Sequence, residues 1–383
     1  MPGAPLIGVT TFGGDGGVSG ISQYIVQLLK ALAAEPREAR YEVAVYADER
    51  SIFVPESPRV TPLVHGRAWA SPIRNVAWHQ AMLPALCKRR GFDVLFLPAA
   101  NRRLPVWTPC PAVGTVHDLA SAHVTDKYDP ARVFYVRRVL PPLIRRLDHV
   151  LTVSEATKRD LVEIAGLRPE RVTVTPLAAD PAVFHPGDRD AAAARVASRF
   201  GVSGPYIVYI ARLEHPGKNH VRLIRAFDRL KTRTGLPHKL VLAGSDRERA
   251  AEVHAEAAAA RHAADIAFTG FVPSDAVGDL YRAADLFAFP SLFEGFGLPL
   301  LEAMACGTPV VAADVASLPE VAGDAARLVD PYDEHALAAA LEAVLTDPAL
   351  RADLVARGLA RSATFSWRRT ARQTLDVLLR LAP

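Results

Sequence analysis

Phe293-Glu294-Gly295-Phe296-Gly297-Leu298-Pro299-Leu300-Leu301-Glu302 is the stretch on which the reading of this chain turns. It follows Leu286 to Pro290, an apolar run with the length of a buried strand. It leads into 300–306, which reads as a helix with Pro299 at its first position. Two glycines let the backbone approach a ligand closely. The helix start offers free N–H groups and a partial positive charge, which suit a phosphate or a polar sugar. Glu294 in the loop and Glu302 in the first helical turn flank that site. Carboxylates beside a phosphate repel it unless they do other work, and accepting hydrogen bonds from sugar and ribose hydroxyls is such work. The stretch therefore reads as a nucleotide-sugar site.

Short apolar runs alternate with longer amphipathic ones on both sides of it. In the first half the strand candidates are 6–10, 42–47, 60–64, 93–98, 112–117, 149–154 and 172–176, with helices expected at 21–34, 76–89, 131–147 and 155–165. In the second half they are 206–211, 239–244, 266–270, 286–290, 309–313 and 326–329. Strand–helix alternation implies α/β architecture with parallel sheets covered on both faces. Two such blocks make two doubly wound domains facing a cleft, with ligands at the carboxyl ends of the strands. The Asp-, Pro-, Gly- and Ala-rich stretch 180–205 marks the boundary, so the domains are expected at 1–180 and 181–364. Within that stretch Asp188-Arg189-Asp190 imitates a metal-binding D-x-D but follows no strand and reads as linker. Residues 365–383 form an amphipathic tail with Trp367 as its anchor.

Further pieces of a site stand at strand ends. Tyr206–Ala211 runs into Arg212-Leu213-Glu214-His215-Pro216-Gly217-Lys218-Asn219-His220, followed by a helix over 221–230. Arg212 as a planar fork and Lys218 as a point charge can hold a diphosphate between them. After the first strand, Thr11-Phe12-Gly13-Gly14-Asp15-Gly16-Gly17-Val18-Ser19-Gly20 precedes a helix. It lacks the Lys-Ser/Thr of an ATPase loop, and Gly17 and Gly20 are its candidate contacts to donor phosphates or to an acceptor. His117 ends a strand in Gly114-Thr115-Val116-His117-Asp118-Leu119. In the second half, Ser245 and Phe271 close strands beside the expected base, although Phe271 reads equally well as a core aromatic.

Glu294 and Glu302, separated by seven residues inside EGFGLPLLEAMACGTPVV, resemble the signature of retaining glycosyltransferases of family 4, which have the GT-B fold of two Rossmann-like domains. Arg212 to Asn219 is similar to the R-x-x-x-x-K-N phosphate element of that family, with five residues rather than four between Arg212 and Lys218 and with Ala211 where Gly usually precedes the Arg. The resemblance implies transfer of a hexose from a nucleoside-diphosphate sugar to a hydroxyl of a saccharide or lipid-linked saccharide, with retained configuration and no metal. It makes Arg212 and Lys218 the stabilisers of the leaving diphosphate, Glu294 the holder of sugar hydroxyls, Glu302 of the ribose diol, and His117 a donor-sugar contact. Gly295, Phe296, Gly297 and Leu298 become the loop that meets the donor. GDP-mannose is the favoured donor and a UDP-hexose the next. The tail is expected to cross back onto the N-terminal domain. A sugar-nucleotide epimerase on the same fold and a non-catalytic nucleotide-sugar scaffold are the rivals. The Glu-Gly-Phe-Gly loop opposes the first, and the four charged residues in place oppose the second.

Half of the 383 residues are hydrophobic and 22% are charged, a balance that suits globular domains. Cys87, Cys110 and Cys306 lie far apart and form no metal-ligand pair, which points to a reducing, cytoplasmic compartment. No signal peptide and no membrane-spanning run are expected. Residues 1–180 carry 22 Lys/Arg against 17 Asp/Glu, a balance of +5, and residues 181–383 carry 23 against 24, a balance of −1. The basic extreme, Arg132–Arg146, interleaves Arg137, Arg138, Arg145 and Arg146 with Val136, Val139, Leu140, Leu143 and Ile144, and is expected to break at Pro141-Pro142. It reads first as a core-packing helix with a solvated basic face, and second as a peripheral contact with the inner face of a membrane. No nucleic-acid-binding module is visible.

Overall fold

The computed structural model describes residues 3–12, 14–17, 19–100, 103–124 and 133–382. The chain divides into two compact units. The first holds Met1–Ala122, Pro130–Leu177 and Ser366–Pro383; the second holds Ala178–Phe365 with the short piece His123–Asp129.

The first unit is built on a seven-stranded sheet of order β3-β2-β1-β4-β5-β6-β7, every pair parallel. Its strands are β1 (Leu6–Thr10), β2 (Arg40–Tyr46), β3 (Val60–His65), β4 (Val94–Leu97), β5 (Ala112–Val116), β6 (His149–Thr152) and β7 (Val172–Val174). β4 and β5 are buried at every position, as helices on both faces require. Helix Gly20–Ala34 starts at Ser19, whose hydroxyl accepts from Ser22 N, and helix Glu155–Glu163 starts at Ser154 in the same way through Thr157 N.

The terminal helix Trp367–Leu381 belongs to this unit and packs along Gly20–Ala34. Trp367 is buried with its ring centroid 6.1 Å from that of Tyr24, Thr370 donates to the carbonyl of Pro176, and Arg37 pairs with Asp376. The chain's last helix thus completes a core begun by its first.

Two local readings need correction. The segment containing Pro141 and Pro142 does not break. A widened turn at Tyr135–Val139 runs into helix Leu140–Ile144 with both prolines near its start. The wider turn takes up the missing N–H groups and ring clashes that would kink a regular helix. Arg132 itself lies outside the described residues. The second correction concerns Asp188, whose carboxylate accepts from Ala191 N and caps helix Arg189–Phe200.

The second unit has a six-stranded parallel sheet of order β10-β9-β8-β11-β12-β13. The strands are β8 (Tyr206–Ile210), β9 (Lys239–Ala243), β10 (Ile266–Gly270), β11 (Leu286–Phe289), β12 (Val310–Ala313) and β13 (Arg327–Val329). From β8 the chain winds outward through β9 to β10, then returns to pair β11 against β8 and winds the other way. β8 and β11 are therefore the neighbours at which winding reverses, and the crevice beyond their carboxyl ends is where an open α/β sheet binds ligands. In the first unit the corresponding neighbours are β1 and β4. Among the described residues no helix is long and apolar enough to cross a membrane.

Candidate active site

The crevice beyond β8 and β11 gathers most of the residues singled out in the sequence. Arg212 and Lys218 follow β8; Glu294, Gly295, Phe296 and Gly297 follow β11. Hydrogen bonds stitch the two loops together. Leu292 N donates to Gly217 O at 3.0 Å, and Tyr209 Oη donates to Lys218 O at 2.8 Å while sharing a 3.0 Å hydrogen bond with Ser291 Oγ. The buried Asn219 donates through Nδ2 to Pro290 O at 3.0 Å and to Pro331 O at 2.8 Å. Asn219 adopts φ of +60°, a conformation that Asn tolerates better than most residues. Lys218 is thus presented by a loop fixed to the end of the neighbouring strand.

Its ammonium lies 2.6 Å from Glu294 Oε1, with both side chains largely buried. The Glu294 carbonyl accepts from Ser317 Oγ at 2.8 Å, which holds the loop from the other side. Arg212 has an exposed side chain, and its Nη2 stands 3.6 Å from the buried carboxylate of Glu214. Each cation beside this crevice therefore has a carboxylate next to it.

Helix Leu298–Ala305 begins one residue earlier than its sequence indicates, so Pro299 is its second residue. Gly297 makes this possible. It sits at φ +93°, and a Cβ there would lie 2.5 Å from Leu318 Cδ2. The backbone N–H groups at the helix start face the chain after β11, where the partial charge favours an anion. The shift places Glu302 one turn inside the helix rather than in its first turn. Its Oε2 accepts from Tyr281 Oη at 3.4 Å, and burial pushes its carboxyl up to about 7. Phe296 is turned inward, its ring 6.0 Å from and edge-on to Phe365, so only its backbone is available to a ligand.

Ser245 follows β9 and reaches the same loops, since its carbonyl accepts from Leu213 N at 3.0 Å. Gly244 makes that approach possible, because a Cβ there would lie 2.0 Å from Ala211 O. Phe271, after β10, is 57% exposed, which removes the core-aromatic reading and leaves a ring open to a planar partner.

Three candidates lie in the first unit. His117 is buried just beyond β5. Its Nε2 lies 2.8 Å from Pro98 O, its ring meets Tyr24 edge-on at 4.6 Å, and its carbonyl accepts from Thr157 Oγ1 at 3.4 Å. The ring thereby ties the end of β5 to the end of β4. Gly17, at φ +88°, accepts from Gln23 Nε2 through its carbonyl at 2.6 Å, and Gly20 is the first residue of helix Gly20–Ala34. Asp15 accepts from Ser19 N at 2.9 Å and from Ser22 Oγ at 2.6 Å, closing the loop onto that helix start. Gly13 and Val18 lie outside the described residues.

Sequence reasoning gave no role to Glu214, Tyr209 or Tyr281. Glu214 had a local signal, because an extended Arg212-Leu213-Glu214 points its first and third side chains the same way. The other two act across strands and had none.

Chemically, the second unit offers a fork, an ammonium and a helix N-terminus for phosphates, and two carboxylates for hydroxyls. Residues 190–361 match the family model described as "Glycosyl transferases group 1", and residues 18–183 match "Glycosyltransferase Family 4". The chain is 32% identical over 265 residues to O-antigen chain mannosyltransferase B of Escherichia coli, covering 69% of each chain. It is 32% identical over 402 residues to a D-inositol 3-phosphate glycosyltransferase of Salinispora tropica, covering 95% of this chain and 81% of that one. It is also 32% identical to the E. coli serotype-specific mannosyltransferase WbdA, over 74% of this chain, but spans only 34% of that longer protein. Among solved structures, HepE of Anabaena with UDP and glucose superposes with a TM-score of 0.75 at 20% identity, covering 98% of this chain and 100% of that one.

Proposed function

This chain belongs to glycosyltransferase family 4 and has the GT-B fold, and from that premise we propose that it moves a hexose, with retained configuration, from a nucleoside-diphosphate sugar to a saccharide or lipid-linked saccharide hydroxyl. GDP-mannose is the favoured donor and a UDP-hexose the next, a preference supported by the two relatives named as mannosyltransferases. The observation that carries the reading is the pairing of Lys218 with Glu294 beyond β8 and β11, with the Gly297 helix start following the same loop and Arg212 following β8.

The reaction breaks the bond between the anomeric carbon and the phosphate oxygen, and the electron pair leaves with the diphosphate. Arg212, Lys218 and the N–H groups after Gly297 face the negative charge that builds there. Each such donor supplies roughly 3–4 kcal/mol of transition-state stabilisation in a water-poor site. These fixed cations can do the work of a metal ion. The acceptor oxygen bonds to the anomeric carbon on the face the diphosphate leaves, and its proton passes to the departing phosphate oxygen. Glu294 holds the hexose through its hydroxyls, and Glu302 holds the ribose diol one helical turn further along.

The test is a transfer assay with chelator present, using GDP-mannose, UDP-glucose and a mannose-terminated acceptor, with the anomeric configuration of the product read by NMR. α-Linked product from an α-linked donor without metal supports the reading. Inverted product, or activity only with added metal, overturns it.

A further inference from the structure

Most of the exposed large hydrophobic residues of the chain collect on one part of the first unit. Ile73 is 85% exposed, Trp107 65% and Phe134 63%, and Val76, Met82, Val106 and Val139 are exposed beside them in sequence. Helix Pro72–Ala77 and its continuation bury Trp78, His79, Leu83 and Leu86 on one side. The opposite side carries Ile73, Ala77, Ala81 and Ala85, spaced four apart and all exposed, so this helix is apolar toward solvent as well as toward the core.

Hydrogen bonds join the three segments into one surface. Arg103 Nε donates to Asn75 Oδ1 at 3.1 Å, and Gln80 and the loop exchange two bonds, Nε2 to Leu104 O at 2.9 Å and Val106 N to Oε1 at 2.8 Å. Arg146 Nη1 donates to Val106 O at 2.9 Å. Trp107 is therefore held between helix 72–90 and the basic segment 133–146.

The charge of this surface has one sign. Residues 66–92, 94–117 and 133–147 contain no Asp or Glu. Asp93, between the first two stretches, accepts from Leu6 N at 2.7 Å. Arg74, Arg137, Arg138, Arg145 and Arg146 are exposed, and among the described residues none forms an ion pair. Where they bond, as Arg137 does to Ala122 O and Arg146 to Val106 O, the acceptor is a neutral carbonyl.

We propose that this face docks on an anionic lipid bilayer, with Ile73, Trp107 and Phe134 entering the headgroup boundary and the arginines binding lipid phosphates. Apolar wedges with an indole among them, bordered by arginines in stretches that hold no Asp or Glu, match that interface in both polarity and charge. The face is wider than the Arg132–Arg146 segment alone, which forms one of its borders. The inference does not depend on the transfer reading, because it concerns binding and not chemistry.

Co-sedimentation of the full chain with phosphatidylcholine vesicles, with and without one-third phosphatidylglycerol, tests it. Binding is expected to the anionic vesicles only and to be lost at high salt. Each arginine near the surface contributes about fivefold in partition. R137E/R138E should therefore weaken binding at least about tenfold. I73S/W107S should weaken it to a similar degree while circular dichroism and nucleotide binding stay unchanged. Equal binding to both vesicle types, or unchanged binding of I73S/W107S, would overturn the proposal. So would lipid-independent self-association that I73S/W107S abolishes, which would assign the face to a second copy of the chain.

Discussion

Lys218 Nζ and Glu294 Oε1, 76 residues apart in sequence, lie 2.6 Å apart beyond the ends of two adjacent strands. Under the proposed roles, Lys218 for phosphate and Glu294 for sugar hydroxyls, a diphosphate and the Glu294 carboxylate would compete for the same ammonium. A phosphate that takes Lys218 releases Glu294 toward the hexose. Glu294→Gln is expected to bind free nucleoside diphosphate more tightly, by about fivefold if the half-screened pair is worth about 1 kcal/mol. The same variant should lose transfer by roughly a hundredfold or more, while Lys218→Ala loses both binding and transfer. Calorimetric titration of GDP and UDP, alongside turnover, checks the pair. Weaker nucleotide binding in Glu294→Gln would show that no competition exists.

Gly297 is fixed by two independent constraints, its φ of +93° and the 2.5 Å that a Cβ would leave to Leu318 Cδ2. Gly297→Ala should cost about 1–2 kcal/mol for the left-handed backbone. Crowding Leu318 should add about 1–3 kcal/mol. Adding Leu318→Ala to that variant should recover its thermal midpoint relative to Leu318→Ala alone, because only the steric part is relieved. Equal damage from Gly297→Ala in both backgrounds would mean the backbone term acts alone. Donor KM should rise in every Gly297→Ala background, since the helix start moves with it.

Both sheets and their order of elements were legible because buried parallel strands are short apolar runs, and all thirteen described strands overlap the runs read from sequence. The placing of Arg212, Lys218 and the glycine loop was legible for a related reason: each sits next to a strand end, and strand ends are visible in sequence. Tertiary facts were not. Helix Leu298–Ala305 starts a residue early because Leu318 and Phe289 close around a bare Gly297, and nothing local signals that. Pro141 and Pro142 read as a break, because the widened turn that accommodates them has no sequence signature. Phe271 could be core or surface from composition alone, since both uses of a strand-end aromatic look the same until the neighbouring elements are placed.

Asn219 decides where Lys218 stands. Its buried carboxamide donates to Pro290 O and Pro331 O, two carbonyls from segments far apart in the chain. Asn219→Ala should leave both acceptors unpaired at a cost of about 2–3 kcal/mol. Asn219→Asp should be worse at neutral pH, because a carboxylate offers no donor and faces two carbonyl oxygens. Urea unfolding of the three proteins gives the ranking, and an Asp variant as stable as wild type would contradict the assigned donor role. In both variants donor KM should rise more than kcat falls, since the loop that carries Lys218 loosens while the charges remain.

Glu302 should set the pH response of donor binding. Its carboxyl, ordinarily near 4.5, is raised to about 7 by burial, against which the Tyr281 hydroxyl pulls it down only in part. The folded protein therefore holds a proton that the unfolded chain has already released between those two values. Stability contributed by the neutral form is fully present below about 4.5, falls as pH rises, and is gone above about 7, a change of about 3 kcal/mol at most. Glu302→Gln should remove that slope, so the variant gains on wild type as pH climbs from 5 to 8. Binding should move the other way. A ribose diol donates its hydrogen bonds to an ionised carboxylate, so affinity for a nucleoside-diphosphate hexose should rise through pH 7 in wild type and stay flat in Glu302→Gln. The hexose conjugate is the right probe, because it lacks the terminal phosphate proton that free GDP or UDP loses in the same range. If the affinity of Glu302→Gln follows the wild-type curve, Glu302 does not hold the diol and its raised carboxyl serves packing with Tyr281 alone.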